Sequence, residues 1–313
     1  MSQQLCDIIV GNGVAAHAFL WTYAKKLKAN NLDLPRRMVW IKSTIIPTCS
    51  LTSTSIVSRA GLQRKTSPFG DQLIDAYDLF EKNFKDFESV EVASQTHLPH
   101  GDLEQFNKRY SDAPSTCLIV NSDLFLKQLE DDFLKVFSLN LEIIHDTVVC
   151  ENEQNIQLQS GVRDFNRLFL FLGGGNKLYD HNPGGRAVGG QYAQTTIDLG
   201  NNGFVQSRGP HNLIYRSMDK TLLVGSLDDK ADELGWPVTA PRAKAIQSFL
   251  SDFEIDLPSD LSWKVLAGVR HKGVKRLPSW GEVRNNVYSV HGLYKNGYTL
   301  AFLAASELLA TLN

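Results

Sequence analysis

The chain has 313 residues, of which 42% are apolar and 21% charged, with a formal net charge of −2. That balance fits a globular protein of one large domain or two moderate ones, and nothing in the net charge argues for a polyanionic partner, so no nucleic-acid partner is expected. The four cysteines, Cys6, Cys49, Cys117 and Cys150, form no CxxC pair. They read as free core thiols, not as a zinc site or a disulfide framework.

Met1-Ser2-Gln3-Gln4 lacks the basic head and apolar run of a signal peptide, so the cytoplasm is the expected location. Residues 6–10 are an apolar run that stops at Gly11, as a buried parallel strand does. Helical spacing follows over 14–28, with Ala16, Phe19, Leu20 and Tyr23 on one side, and 37–41 reads as a second strand. This βαβ-type opening predicts a parallel sheet. Residues 50–58 are rich in Ser and Thr, as in a loop around a polar ligand. Residues 71–87 have helical spacing, 90–118 carry mixed strand and turn signals, and 122–136 is an amphipathic helix with Ser122 as N-cap.

Strands are expected at 141–144, at 147–149 and over the apolar run 167–172, which stops at Gly173-Gly174-Gly175. Asn182-Pro183-Gly184-Gly185 is a turn and a crossing point between lobes. Strands then follow at 188–194, 212–216 and 221–225, a helix at 241–253, a strand at 287–290 and a closing helix at 298–312. The apolar stretch 299–312 falls short of the roughly 20 residues that span a bilayer and carries Ser306 and Glu307. It reads as a buried or amphipathic helix, and no membrane partner is expected.

Two glycine motifs at opposite ends of the chain carry the chemistry. In Gly11-Asn12-Gly13-Val14-Ala15-Ala16, Gly11 permits the tight turn and Gly13 lets backbone approach a phosphate. Ala16 allows close helix–strand packing, and the helix start offers amides and a positive dipole end to a dinucleotide pyrophosphate. A structural turn is the bland alternative. The second strand of such a unit usually ends in an acid that grips a ribose; here Lys42 stands there. Lys42 either meets a 2′-phosphate or points to solvent.

The second motif is Gly268-Val269-Arg270, then Pro278 and Gly281, then His291-Gly292-Leu293-Tyr294-Lys295-Asn296-Gly297-Tyr298-Thr299. It resembles the G-x-R-P-x-T-x-D-x-x-P-x-x-G and G-h-x-x-N-G segments of the FAD-dependent D-amino-acid oxidase and glycine oxidase family. Ser50 to Val57 occupy the place of that family's Ser-rich flavin loop, and Gly190-Gln191 that of its R-G-Q. Residues 168–174 resemble the strand before its A-x-G signature, and residues 223–226 its strand ending in G-S or G-T. Departures are Lys42 for the ribose acid, Ser55 for the loop glycine, and His271, Gly273 and Lys275 where Pro, Thr and Asp are usual.

The resemblance implies an α/β fold: an FAD/NAD(P)-binding Rossmann-like domain with an inserted, strand-rich substrate domain. Residues 1–63, 118–176 and 263–313 are expected in the FAD-binding unit, and 64–117 and 177–262 in the substrate unit. It also implies noncovalent FAD contacted by Gly11, Gly13, Val14, Ala15, Ala16, Lys42, Ser50, Val148, Gly173, Gly174, Gly268, Tyr294, Asn296, Gly297, Tyr298 and Thr299. The implied reaction is hydride transfer from the C–N carbon of a small amine or amino acid to the flavin, with oxygen or another acceptor reoxidising it.

In the family the arginine at Arg270 pairs with the substrate carboxylate, which suits its planar fork; a structural ion pair is the bland reading. Lys295 stands as a second catalytic candidate, adding positive charge beside the reduced flavin, or else as a surface lysine. Tyr192 and Tyr215 are expected to line the substrate pocket, or else to pack in the core. The basic run His271, Lys272, Lys275 and Arg276 is either a solvated segment or an entrance favouring an extra acidic group. Two further readings stay open: a descendant of the fold with weak or no flavin, and an NADP-dependent reductase.

Overall fold

The computed structural model describes residues 6–30, 37–42, 49–110, 113–137, 139–178, 184–229, 243–253 and 255–312. In chain order the strands begin with β1 (Cys6–Val10), β2 (Met38–Lys42), β3 (Ile56–Val57), β4 (Val90–His97), β5 (Ser115–Val120) and β6 (Leu141–His145). They continue with β7 (Val148–Glu151), β8 (Asn155–Leu158), β9 (Gly161–Leu170), β10 (Arg186–Thr196) and β11 (Phe204–Arg208). The last five are β12 (His211–Arg216), β13 (Thr221–Asp229), β14 (Lys264–Lys272), β15 (Ser279–Arg284) and β16 (Val287–His291). The α-helices are α1 (Val14–Asn30), α2 (Pro68–Phe84), α3 (Leu103–Arg109), α4 (Ser122–Phe137), α5 (Ala243–Gln247) and α6 (Gly297–Ala310).

All five residues of β1 are buried, the pattern of a central parallel strand covered on both faces. It pairs in parallel with β2 on one side and β9 on the other, and the first sheet runs β15-β16-β9-β1-β2-β6. Side chains alternate across it. Ile9 and Trp40 point into a core built with Phe19, Phe80, Phe125 and Phe302 from α1, α2, α4 and α6. Ile8, Val10, Val39 and Ile41 face the other way, against Val148, Ile156 and Leu158 of the β7–β8 hairpin.

The second sheet runs β14-β10-β13-β12-β11-β4-β5-β3. Its neighbours are antiparallel except for β11 beside β4. It therefore includes β3 and β14, while α2 packs in the first core through Tyr77, Phe80 and Phe84. No helix among the described residues is long and apolar enough to cross a membrane.

Three local expectations change. The amide of Leu124 donates to Asn121 Oδ1, at 3.3 Å, so Asn121 caps α4. Ser122 instead sits 2.6 Å from Ser55 Oγ, tying the helix to the Ser-rich loop. The helix expected over 241–253 is, among the described residues, the short α5 followed by a tighter turn over Ser248–Asp252. Cys6 and Cys117 are buried thiols, but Cys150 is exposed and Cys49 is half-buried. Residues 43–48, which follow Lys42, lie outside the described residues, as do Asn182 and Pro183 of the expected crossing turn.

Candidate active site

The turn between β1 and α1 is closed from three sides. Gly11 has φ +130°, and a Cβ there would collide with the Phe171 carbonyl. Its amide donates to Ile41 O at 3.0 Å, and its carbonyl accepts from Trp40 Nε1 at 2.7 Å. Only glycine fits that backbone and that approach. The first turn of α1 has no acidic side chain to neutralise its positive end. Ser50 Oγ accepts from the Val14 amide at 2.9 Å, and the Ser50 carbonyl accepts from the Tyr298 hydroxyl at 2.9 Å. One residue of the Ser-rich loop thus ties the start of α1 to the start of α6. A Cβ at Gly297 would lie 3.6 Å from Val14, so the two helix starts are neighbours.

The opposite wall comes from the second sheet. Strand β10 lies between β14 and β13, with Gly190 opposite Gly268 on one side and Asp228 on the other. Arg270, two residues beyond Gly268, reaches across β10, and its Nη2 donates to Asp228 Oδ1 at 2.7 Å. The guanidinium lies on Gly190, where a Cβ would stand 2.5 Å from that nitrogen. A glycine inside a strand marks such a close approach. The Tyr294 hydroxyl donates to Asp228 Oδ2 at 2.9 Å, and Lys295 Nζ lies 3.6 Å from Oδ1. The Arg270 guanidinium also sits 5.0 Å from the Tyr294 ring centroid, in cation–π range.

Burial opposes ionisation of Asp228, but Arg270, then Lys295 and the Tyr294 hydroxyl outweigh it and hold the carboxyl below its usual range. Burial lowers the Lys295 ammonium, and Asp228 works against that shift. Arg270 Nε is buried with no hydrogen-bond partner, covered by the protein itself.

Between the walls lies a cavity of about 300 Å³, at the small end of ligand pockets. Of the residues expected in the site, Val14, Ser50, Tyr192, Gly268, Arg270, Tyr294, Lys295, Gly297 and Tyr298 line it. Gly268 is where β14 presses on the Ser-rich loop, since a Cβ there would collide with Thr52 Oγ1. Asn296 and Thr299 flank the lining at the start of α6, Thr299 buried and Asn296 with its amide bonded to Leu293 O at 2.8 Å. Gly13, Ala15 and Ala16 belong to the first turn and helix but not to the cavity wall: Ala16 is fully buried, and the Gly13 carbonyl accepts from His17. Gly173 has φ +53° with open space beyond it, whereas a Cβ at Gly174 would meet Val269 of β14. Val148 is buried beneath β1.

Two expectations are corrected. Tyr215 is fully buried on the far face of the second sheet, where its hydroxyl donates to Gly200 O at 3.0 Å and accepts from the Leu199 amide at 3.1 Å. It packs with Leu213, Ile246 and Phe253 and is not part of the cavity wall. Lys42 neither meets a phosphate nor points to solvent. Its ammonium donates to both oxygens of Glu130, at 2.7 and 2.8 Å, and lies 4.2 Å from the Trp40 ring. His17 Nε2 faces the same carboxylate at 3.6 Å. The His17 hydrogen bond, against the cost of burial, and Lys42 together hold Glu130 at about 2. Sequence reasoning missed Glu130 and Asp228, and read Gly190 only as part of a motif.

The residues present fit a flavin dinucleotide. The start of α6 has no side-chain cap, so its amides are open to an electron-rich ring edge. The start of α1 carries no acidic side chain, which suits a pyrophosphate.

No family model and no curated protein matches the chain. Solved structures do. Iminodiacetate oxidase from Chelativorans sp. BNC1 superposes with TM-score 0.73 at 12% identity, covering 97% of this chain and 95% of that one. Glycine oxidase from Geobacillus kaustophilus gives 0.72 at 13% identity, covering 99% and 95%. L-proline dehydrogenase from P. horikoshii gives 0.74 at 12% identity, covering 99% and 94%. The fold is α/β and is shared with these oxidases and this dehydrogenase over nearly the whole of each chain.

Proposed function

We propose that the protein is an oxidoreductase that holds FAD noncovalently and oxidises the C–N carbon of a small amine or amino acid. The observation that carries this reading is the meeting of the α1 and α6 starts, with Lys295 just before α6, at one cavity whose far wall presents Arg270. In this reading the Gly11–Gly13 turn and the Ala15 amide face the pyrophosphate, the Val14 amide being held by Ser50. Helices α1, α4, α6 and the first sheet form the discontinuous cofactor unit, joined by α2, which the sequence reading had placed in the substrate unit. When bound, FAD supplies the acceptor for the hydride that leaves the amine carbon as it becomes an imine, and oxygen or another acceptor reoxidises it.

The chain's own residues do the rest. The open start of α6 and the Lys295 ammonium place positive potential where negative charge accumulates on reduction. Tyr192 and Gly190 floor the cavity, and Arg270 borders the space in which the substrate carbon is held. No residue need act as nucleophile or metal ligand. The nicotinamide alternative rested on Lys42, and its engagement by Glu130 removes that support.

Purified protein should be yellow and should release FAD on denaturation, read by absorbance and chromatography of the supernatant. Colourless protein that takes up no added FAD would overturn the proposal in favour of a flavin-free descendant of the fold.

A further inference from the structure

The arrangement around Asp228 bears on the substrate class, given the proposed function of the cavity on which this inference rests. Among the described residues Arg270 is the one arginine on the cavity wall, and a wall arginine is the side chain best shaped to receive a carboxylate. That arginine already holds a carboxylate of the same chain. Asp228 accepts from Arg270 at 2.7 Å and from Tyr294 at 2.9 Å, with Lys295 at 3.6 Å. We infer that Asp228 is a built-in occupant of the carboxylate receptor, so that the cavity takes an amine with no carboxylate on the carbon that is oxidised.

Asp228 stands beside the cavity lining and not in it, and three features make it a fixed partner of the wall arginine and not a chance surface partner. The first is topology. Arg270 on β14 and Asp228 on β13 are separated by a whole strand, and they meet only because residue 190 has no side chain to block the crossing. The second is anchoring. Both carboxylate oxygens have a donor, and the donors come from β14 and from the segment just before α6. The third is competition. An external carboxylate must displace an internal one that is tethered and therefore present at high effective concentration. It must also approach an ionised neighbour of like charge across a partly desolvated wall. Arg270 Nε is buried, and Asp228 takes one bond from Nη2, so an incoming carboxylate is left Nη1 and the remaining Nη2 hydrogen and meets them against the charge of Asp228. An uncharged amine meets none of these costs. Lys272 and Lys295 lie 5.3 and 5.6 Å from the Tyr294 ring and keep the rim positive, which suits a reduced ring better than an ammonium.

The test is acetate binding by isothermal calorimetry to the purified full chain, wild type against Asp228→Asn and Asp228→Ala, with sodium chloride at equal ionic strength as the control. Acetate should bind at least about tenfold more tightly to each variant than to wild type, and adding Arg270→Ala should abolish the gain. Wild type binding acetate as tightly as the variants, or no gain in either, overturns the inference. Asp228→Asn keeps the shape of the side chain, and thermal melts show whether both variants are folded before the comparison is made. FAD content is read on the same preparations. Missing flavin would defeat the proposed function, whereas unchanged acetate binding would defeat only the role given to Asp228.

Discussion

Lys42 and Arg270 make a controlled pair. Each is a cation at a position where the resemblance puts a ligand contact, and each turns out to hold a carboxylate of the same chain, Glu130 in one case and Asp228 in the other. The surroundings differ. Lys42 and Glu130 have side chains 13% and 24% exposed, the Trp40 ring lies against the ammonium, and His17 closes the pair from α1. They join β2, α1 and α4 and have no place on the cavity wall. Asp228 is 45% exposed, and Arg270 borders the cavity. An internal ion pair that closes into packing removes a residue from ligand chemistry. One that stays at a cavity changes which ligand fits. The first pair should therefore register in stability and the second in binding.

The largest effect is expected at Glu130. Glu130→Ala leaves the Lys42 ammonium and His17 Nε2 without their acceptor in a mostly buried place. Breaking a fully buried pair costs several kcal/mol and an exposed one under about 1 kcal/mol, so roughly 2 kcal/mol is expected here. Urea unfolding would show it as a lower midpoint at unchanged slope. A loss no larger than that of a surface pair would erase the contrast drawn between the two sites.

The acid limb sharpens the same point. Glu130 is lowered from 4.5 to about 2 in the folded chain, so its contribution is fully present above about 4.5 and lost as pH falls through about 2. The stability difference between wild type and Glu130→Gln should hold steady down to that upper value and shrink below it. A difference that stays flat across the window would mean that the carboxylate is not held by its partners.

How much of this was legible in the sequence depends on how local each signal is. The strand, turn and helix at Cys6–Val10 and Val14–Asn30 follow from consecutive residues, and Gly11 carries its own explanation. Arg270 and Lys295 stand at the cavity because each sits in a short local motif, Gly268-Val269-Arg270 for one and the run from His291 to the start of α6 for the other. Lys42 was misread because period-2 alternation sets it on the face of Trp40, toward α4, and its partner is 88 residues away. Tyr215 failed on the same ground: alternation separates it from Ile214, and nothing local says which face of β12 meets the cavity. Asp228 is the extreme case. Its meeting with Arg270 depends on the register of two strand pairs and on a glycine in the strand between them, and the only local trace is Gly190 in the middle of β10.

The smallest effect tests whether the second pair is held as described. Tyr294→Phe keeps the ring against Arg270 but deletes the hydroxyl that donates to Asp228 Oδ2. A single hydrogen bond to a charged, partly exposed acceptor is worth about 1 kcal/mol or a little more, and water can replace much of it here. Stability should therefore change by well under about 1 kcal/mol. Asp228 would keep Arg270 but lose one of its anchors, so acetate should bind a few-fold more tightly than to wild type and less tightly than to Asp228→Ala. A gain equal to that of Asp228→Ala would make the hydroxyl, and not the carboxylate's grip on Arg270, the element that keeps the receptor closed. No gain at all would mean that Arg270 and Lys295 hold Asp228 without help, and that the two ion pairs differ in location but not in rigidity.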